Sequence, residues 1–183
     1  MYEILPGNKN PHLREITREI PLSDITSAKI RTLIKEMKAL LNREEFGVAL
    51  AAPQVGEPLK LFIVSGKALA RGKRNAKDED DDDESDDDVP ALPDQVYINP
   101  ELTKLSRGRT LKHEGCLSIR GKWGEVPRAE KATIRAYDEE GRRFTRGASG
   151  FLAHIFQHEM DHLSGILYTD KAKELYDEKP EKE

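Results

Sequence analysis

The sequence predicts an α+β fold in which antiparallel β-sheets wrap around one central metal-binding helix. Three observations support this prediction. The apolar stretch from Gly150 to Leu167 has helical periodicity, a second amphipathic helix follows residue 23, and several short strand-like runs lie between the two. Such a succession of elements is typical of an α+β domain.

The central helix carries a His-Glu-x-x-His pattern. Ser149 is suited to cap its N-terminus, and Gly165 follows its last periodic position. On a helix His158 and His162 lie one turn apart on the same face, so both imidazoles can bind one divalent metal, with Glu159 beside it for proton transfer. Apolar residues lie on both sides of the helix, where unpaired polar groups are costly, and this favours a metal site over a solvated polar stripe.

The length of 183 residues fits one domain, which we place at residues 1 to 170. The net charge of −4 includes a run from Asp78 to Asp88 with ten acidic residues among eleven, and without those ten charges the rest of the chain carries +6. Such a run repels itself and has almost no apolar surface to bury, so we predict a disordered acidic insertion at about residues 67 to 94. It could bind cations or a basic partner, although a solvated loop with no specific role is favoured. A short charged tail at residues 171 to 183 is expected to fray.

No apolar run is long enough to span a bilayer, and the N-terminus lacks the basic and apolar regions of a signal peptide. We therefore predict a cytoplasmic protein with no membrane partner. An organelle form that has lost a targeting segment fits the same sequence. We predict no direct binding of nucleic acid.

The regular elements before the central helix follow in order. Ser23 or Asp24 can cap a helix that ends near Asn42. Strands are predicted at residues 59–65, 96–99 and 132–137, the last of them entering a turn before the central helix. The apolar stripe of the first helix consists of Ile30, Leu33, Ile34, Met37, Leu40 and Leu41.

The small residues Gly47 and Ala49 flank Val48 in a stretch where the backbone can approach another group closely. Extended backbone at such a place can pair with a peptide-like ligand as an added strand, and Gln54 could then offer its side-chain amide as a donor. A Gly- and Ala-rich strand that passes under a helix would show much the same pattern.

Cys116 is the single cysteine, so it is either a small buried hydrophobe or a chemical participant. If this part of the chain is extended, Lys112, Glu114 and Cys116 share one face and His113 points to the other. We therefore expect His113 to have a structural or surface role.

Three segments stand in the order and approximate spacing of the peptide deformylases. They are Gly47-Val48-Ala49-Leu50-Ala51-Ala52-Pro53-Gln54, Glu114-Gly115-Cys116-Leu117-Ser118 and Gln157-His158-Glu159-Met160-Asp161-His162. The sequences at residues 96–100 and 126–131 also resemble that family. The resemblance covers nearly the whole chain except the acidic insertion and the tail.

The resemblance implies that Cys116, His158 and His162 bind one divalent metal. Fe²⁺ is the family's usual ion, and Zn²⁺, Ni²⁺ or Co²⁺ can occupy such a site. Three protein ligands leave a fourth position open, as in catalytic sites.

The implied reaction removes the formyl group from N-formylmethionyl peptides and releases formate. A water molecule activated by the metal would attack the formyl carbon, with Glu159 as general base and then as general acid. The side-chain amide of Gln54 and the backbone N–H of Leu117 would stabilise the resulting oxyanion. N-formylmethionyl peptides are the implied substrate, and the ribosome is a candidate partner.

The resemblance also indicates which residues contact the substrate. The expected contact residues are Gly47, Val48, Ala49, Glu114, Phe151 and Ile155. The methionine side chain would enter an apolar pocket formed by Val48, Phe151, Ile155 and His158, which suits a flexible thioether. Glu114 and Arg128 resemble the family's paired charges and are expected to hold the cysteine segment in place.

Two positions depart from the family pattern. Ala49 occupies the second glycine position of the first motif and adds a methyl group close to the substrate strand. His154 stands where the family more often has an aliphatic residue. It either makes the pocket more polar or hydrogen-bonds outward, and we favour the second alternative.

Two other functions compete with this assignment. A zinc endopeptidase would ordinarily need a third His or Glu ligand downstream of His162, where Glu174 is the only nearby carboxylate at a plausible distance. A non-catalytic binding protein of deformylase-like fold could use the acidic loop as its interaction surface. Such a protein could lose Glu159, Gln54 or Cys116, and none is lost, which favours catalysis.

Overall fold

The computed structural model describes residues 2–74 and 92–177 and has the predicted α+β architecture with antiparallel sheets. Its helices are α1 (Ala28–Leu41), α2 (Gly66–Arg74), α3 (Gly150–Leu163) and α4 (Tyr168–Lys171). Its strands are β1 (Ala49–Ala51), β2 (Leu61–Val64), β3 (Gln95–Leu105), β4 (Arg109–Cys116), β5 (Ile119–Ala129), β6 (Lys131–Tyr137), β7 (Arg143–Ser149) and β8 (Glu174–Asp177). Short 3₁₀ turns lie at Pro11–Arg14, Leu22–Asp24 and Ala52–Val55.

Five strands form one sheet in the order β1-β2-β3-β6-β7, and a second sheet has the order β4-β5-β8. Every pairing between these strands is antiparallel. Helix α3 packs against strands of both sheets. The motif helix is therefore central and wrapped by antiparallel strands, as the sequence predicts.

Strand β2 shows how the sheet carries an apolar core on each face. Successive side chains of a strand point to opposite faces. Leu61 and Ile63 belong to the core that includes the apolar stripe of α1, whereas Phe62 and Val64 belong to the core that includes α3. All four side chains are fully buried. A continuous apolar run is thus explained by a strand that is covered on both sides.

Helix α1 begins later than we predicted. The cap is Ser27, whose Oγ accepts a hydrogen bond from the N–H of Ile30 at 3.4 Å. Ser23 and Asp24 lie in a 3₁₀ turn and bond to each other, so the prediction that either caps the helix is wrong. The helix ends with Asn42 as its C-cap, as predicted.

The prediction that order is lost from about residue 67 is also wrong. Residues 66–74 form α2 because the apolar side chains of Ala68 and Leu69 pack into the core beside α3. Leu92 packs against the same core before β3 begins. The acidic run from Asp78 to Asp88 lies outside the described residues.

The tail that we expected to fray from residue 171 contains β8, which pairs with the edge of β5. Tyr176 lies opposite Trp123 in this pairing, and its hydroxyl bonds to Nδ1 of His113. Backbone pairing and ring contacts therefore order a segment whose charge pattern alone gave no such indication. Residues 178–183 lie outside the described part.

Within residues 2–74 and 92–177, no helix combines the length and the apolar character that crossing a membrane requires.

Candidate active site

Helix α3 begins directly after Ser149 and ends two residues before Gly165. Ser149 occupies the N-cap position but its side chain makes no capping hydrogen bond. Gly165 follows the helix in the left-handed region, with φ of 73°. A side-chain carbon there would come within 2.8 Å of the backbone oxygen of Arg14, so only glycine allows the chain to turn this closely past the N-terminal segment.

Three candidate metal ligands meet where the end of β4 approaches α3. Cys116 is the last residue of β4, and His158 and His162 lie one turn apart on α3. One ligand atom of each residue lies within 4.8 Å of the other two, and Nε2 of His162 is 3.3 Å from the sulfur of Cys116. The structure therefore brings together the three residues that the motif and the resemblance indicate.

A thiolate and two imidazoles are suitable ligands for a divalent transition metal. Burial holds the pKa of His162 well below its usual range, so this ring is neutral, which is the form that binds a metal. The residues present thus fit the metal that the family resemblance implies, and they leave room for a fourth ligand.

Glu114 orients one of the two histidines. Its Oε2 lies 2.8 Å from Nδ1 of His158, which leaves Nε2 of that ring for a metal. The carboxylate is 2% exposed, and Arg128 donates to both of its oxygens, at 2.6 and 2.9 Å. Burial by itself raises the pKa of Glu114, but the hydrogen bonds from Arg128, His154 and His158 outweigh it and hold that pKa well below its usual range.

Asp161 completes this network, and our reading of the sequence missed it. Its Oδ2 accepts a hydrogen bond from Arg128 at 2.6 Å, and its Oδ1 accepts one from Lys171 at 2.6 Å. Asp161 lies inside the motif, on a helix with apolar residues on both sides. A carboxylate at such a position needs a partner, and this need was the signal that could have identified it.

His154 faces inward, so our preference for an outward hydrogen bond was wrong. Its Nε2 lies 3.0 Å from Oε1 of Glu114, and its ring lines a cavity beside the three candidate ligands. Burial lowers the pKa of His154, so the neutral ring donates to the carboxylate. Glu114 thus accepts hydrogen bonds from histidines on two successive turns of α3.

Glu159 is buried next to the ligands and is 3% exposed. Its Oε2 has no hydrogen-bond partner among the described residues, and burial raises its pKa to about 7. A general base works best when its pKa lies near the operating pH. A divalent cation on the neighbouring ligands would stabilise the carboxylate and lower this pKa.

Gln54 points its amide nitrogen at the same cluster. Its Oε1 accepts a hydrogen bond from the N–H of Ala51 at 2.8 Å, and this bond fixes the orientation of the amide. Its Nε2 lies 3.5 Å from the sulfur of Cys116 and 3.4 Å from Oγ of Ser118. Leu117 follows Cys116 in the tight connection to β5 and also lines the cavity.

A cavity opens beside Cys116, His158 and His162. Its volume of about 590 Å³ is within the usual range for ligand sites. Glu159, Gln54 and Leu117 line it. Every predicted substrate-contact residue also lines it: Gly47, Val48, Ala49, Glu114, Phe151 and Ile155.

Strand β1 lies at the edge of the five-stranded sheet, and its first residue, Ala49, lines the cavity. An edge strand can accept an extended peptide as a further strand. Ala49 is 6% exposed and belongs to the core shared with α3, so its extra methyl group is packed into the protein. A side-chain carbon at Gly47 would come within 2.8 Å of Cβ of Glu44, so glycine is required there by packing.

Our reading of the sequence did not identify Lys67, Arg71 and Trp123 as residues that line the cavity. Lys67 and Arg71 were assigned to the insertion, although their i, i+4 spacing around an apolar trio indicates an amphipathic helix. No local signal distinguishes Trp123 from an ordinary strand residue.

Known proteins resemble this chain in sequence and in fold. Residues 1–178 match the model of the polypeptide deformylase family. A peptide deformylase of Leptospira biflexa is 35% identical over 164 residues, which cover 90% of this chain and 84% of that relative. The crystal structure of a peptide deformylase from Legionella pneumophila is 31% identical with a TM-score of 0.74, and the match covers 94% of this chain and 86% of that one. A class I type b peptide deformylase from Acinetobacter baumannii, crystallised with Met-Ala-Ser bound, is 29% identical with a TM-score of 0.74 over 93% of this chain and 99% of that one.

Proposed function

The chain belongs to the polypeptide deformylase family, and we propose that it removes the N-formyl group from N-terminal formylmethionine with the residues gathered around Cys116. One observation carries the assignment of residues. Cys116, His158 and His162 meet beside Glu159 in a cavity that an edge strand borders.

The cofactor is one divalent metal, for which we propose Fe²⁺, with Zn²⁺, Ni²⁺ or Co²⁺ able to occupy the same ligands. When bound, such an ion supplies Lewis acidity that polarises the formyl carbonyl and lowers the pKa of a water molecule. Cys116, His158 and His162 would hold it, and Glu114 would keep the ring of His158 turned toward it.

Glu159 transfers the proton in this proposal. Its buried carboxylate accepts the proton of the attacking water and later delivers it to the departing amine. Its position beside the ligands and its unpaired Oε2 support this role, because that oxygen is available to a water molecule or to a substrate nitrogen.

The oxyanion donors are the side-chain amide of Gln54 and the backbone N–H of Leu117. The hydrogen bond from Ala51 to Oε1 of Gln54 supports the first of these, since it turns the N–H₂ group toward Cys116 before substrate arrives. Donors that are already oriented need no reorganisation when the charge develops.

The substrate would lie along β1 as an added strand, with the methionine side chain in the cavity between Val48, Phe151 and Ile155. The Acinetobacter protein, which was solved with Met-Ala-Ser bound, supports this proposal because that peptide has the sequence that deformylation of formyl-Met-Ala-Ser would leave. We propose that newly made chains are the natural substrate and that the protein meets them at the ribosome in the cytoplasm. We also propose that its single catalytic domain extends through β8.

The zinc endopeptidase alternative loses support. Glu174, its candidate third ligand, lies on β8 opposite Glu125 and is exposed. Among the described residues, the ligand atoms close enough to hold one ion belong to Cys116, His158 and His162, so the third ligand is Cys116 and not a downstream carboxylate.

The test is formate release from formyl-Met-Ala-Ser by anaerobically purified protein, with metal content determined on the same sample. We expect turnover with about one metal per chain. Metal-loaded protein that releases no formate would contradict the proposal and favour a non-catalytic binding protein.

A further inference from the structure

Helix α2 is docked firmly against the helix that carries the metal-binding motif. Ala68 and Leu69 belong to the core shared with α3. A side-chain carbon at Gly72 would come within 2.9 Å of Cβ of Leu152, so glycine permits the two helices to approach this closely. The other face of α2 is therefore held in a defined position relative to the site.

That face carries two cationic side chains. Lys67 and Arg71 are one helical turn apart, and both line the cavity. The guanidinium carbon of Arg71 lies 4.5 Å from the centre of the Phe151 ring, a cation–π contact that holds the side chain over a residue of the expected methionine pocket. Neither cation forms an ion pair with a carboxylate within residues 2–74 and 92–177.

The other lysine and arginine side chains that line the cavity are already paired. Arg120 lies 2.9 Å from a carboxylate oxygen of Glu44, and Lys122 lies 2.7 Å from one of Asp177. Of the carboxylates that line the cavity, Glu114 and Glu159 are buried deep in the site, and Glu45 is exposed at its rim. Among the described residues that line the cavity, the lysine and arginine side chains without an ion pair are therefore the two on α2.

We propose that Lys67 and Arg71 form a carboxylate-recognising subsite that makes this enzyme prefer formylmethionyl peptides with an acidic residue one or two positions after methionine. The proposal rests on the proposed function, since it assumes that the peptide occupies this cavity. The guanidinium carbon of Arg71 lies over the Phe151 ring, and the N–H groups of a guanidinium can donate two parallel hydrogen bonds to a carboxylate. Lys67 adds a second charge one turn away.

The carboxylate could belong to an Asp or Glu side chain or to the C-terminus of a short peptide, and the substrates must separate these sources. We would measure kcat/KM for formyl-Met-Ala-Asp-amide, for the isosteric formyl-Met-Ala-Asn-amide, and for formyl-Met-Ala-Asn with a free C-terminus. The pair formyl-Met-Asp-Ala-amide and formyl-Met-Asn-Ala-amide tests the nearer position. We expect the wild type to prefer each aspartate peptide over its asparagine partner by roughly threefold to tenfold, mainly through KM, with the preference reduced by added salt.

Variants assign the preference to the helix. In Lys67→Gln/Arg71→Gln the ratio of the two kcat/KM values should fall to about one, and in the charge-retaining Lys67→Arg/Arg71→Lys it should persist. The matched control is Arg31→Gln/Lys35→Gln, which removes an arginine and a lysine at the same spacing from the exposed face of α1. The control should keep the wild-type ratio.

Three outcomes would overturn the subsite. They are a wild-type ratio near one at both positions, a ratio that Lys67→Gln/Arg71→Gln leaves unchanged, and an equal fall in the α1 control. In the first of these cases, a preference for the free C-terminus over its amide would show that Lys67 and Arg71 recognise terminal carboxylates instead of acidic side chains. Calorimetric titration with the same peptides lacking the formyl group measures the preference for aspartate as a ratio of binding affinities, without turnover. If the protein released no formate but still bound the aspartate peptides more tightly, the proposed reaction would be contradicted and the subsite would stand.

Discussion

Oε2 of Glu114 lies 2.8 Å from Nδ1 of His158, and this contact decides which nitrogen of the ring is left for a metal. A carboxylate on one nitrogen fixes both the tautomer and the orientation of the imidazole. The same carboxylate holds the buried guanidinium of Arg128, so one side chain links the ligand geometry to the stability of the fold.

Glu114→Gln should therefore affect two properties together. We expect metal affinity to fall roughly 10- to 100-fold, because the ring of His158 loses its orienting charge. The free energy of unfolding should fall by about 3 kcal/mol, because Arg128 stays buried with only Asp161 as counterion. Chelator competition and urea unfolding measure the two effects. Glu174→Gln is the control, and a loss of metal there would revive the endopeptidase alternative.

Glu159→Ala should retain metal and lose turnover. The carboxylate is not among the ligand atoms that meet at Cys116, whereas general acid–base catalysis is typically worth about 10²- to 10⁴-fold in rate. Formate release and metal content on one preparation test this. Deformylation at the wild-type rate would show that Glu159 is not the proton carrier.

Gln54→Leu should lower kcat about 10²- to 10³-fold, since an oxyanion donor is lost while the shape of the side chain is largely kept. KM should change much less, because the donor acts on charge that develops in the transition state. Steady-state kinetics on formyl-Met-Ala-Ser separates the two constants. A change confined to KM would mean that Gln54 only binds the substrate.

Cys116→Ala should lose the metal or bind it much more weakly, because a thiolate is one of three ligands. His113→Ala is the matched control from the same strand, since that ring stacks on Trp123 and is not one of the three clustered ligands. Metal analysis after gel filtration measures both variants. Equal metal loss in the two would indicate that β4 had been disrupted instead of a ligand removed.

The Fe²⁺ form should lose activity in air faster than the Zn²⁺ form, because Cys116 and its redox-active metal can both be oxidised. Chelator treatment should abolish turnover in both forms, and anaerobic Fe²⁺ should restore it. Parallel aerobic and anaerobic preparations, each with a mass measurement of the Cys116 peptide, test this. Equal half-lives in air would argue against iron chemistry at the site.

Gly165→Ala should destabilise the protein more than Gly141→Ala does. Both glycines have positive φ, 73° and 79°, so each substitution costs about 1 kcal/mol in backbone strain. At residue 165 the new carbon would also come within 2.8 Å of the backbone oxygen of Arg14, whereas at residue 141 the nearest atom is 4.0 Å away. Thermal unfolding of the pair gives the difference, and equal melting temperatures would contradict it.

The acidic insertion and the tail show why some of the fold could not be predicted. Charge and low apolar content indicated loss of order from residues 67 and 171, yet α2 and β8 form at those places. Helix α2 has only three consecutive apolar residues, 68–70, and the helix is stable because Ala68 and Leu69 pack against α3. Strand β8 gains its hydrogen bonds from β5, which lies about fifty residues earlier in the chain.

The sequence by itself determined what depends on neighbours within one turn or one pleat. The spacing of His158 and His162, the position of Glu159 beside them and the buried stripe of α1 all follow from the 3.6-residue period of a helix. Family resemblance then joined Cys116 to that pair and paired Glu114 with Arg128. Only the tertiary structure decided the contact of Glu114 with His154, the link from Arg128 to Asp161, and the cationic face of α2 on the cavity. These contacts join residues far apart in the sequence, and packing of the two sheets around α3 brings them together, so no local pattern contains them.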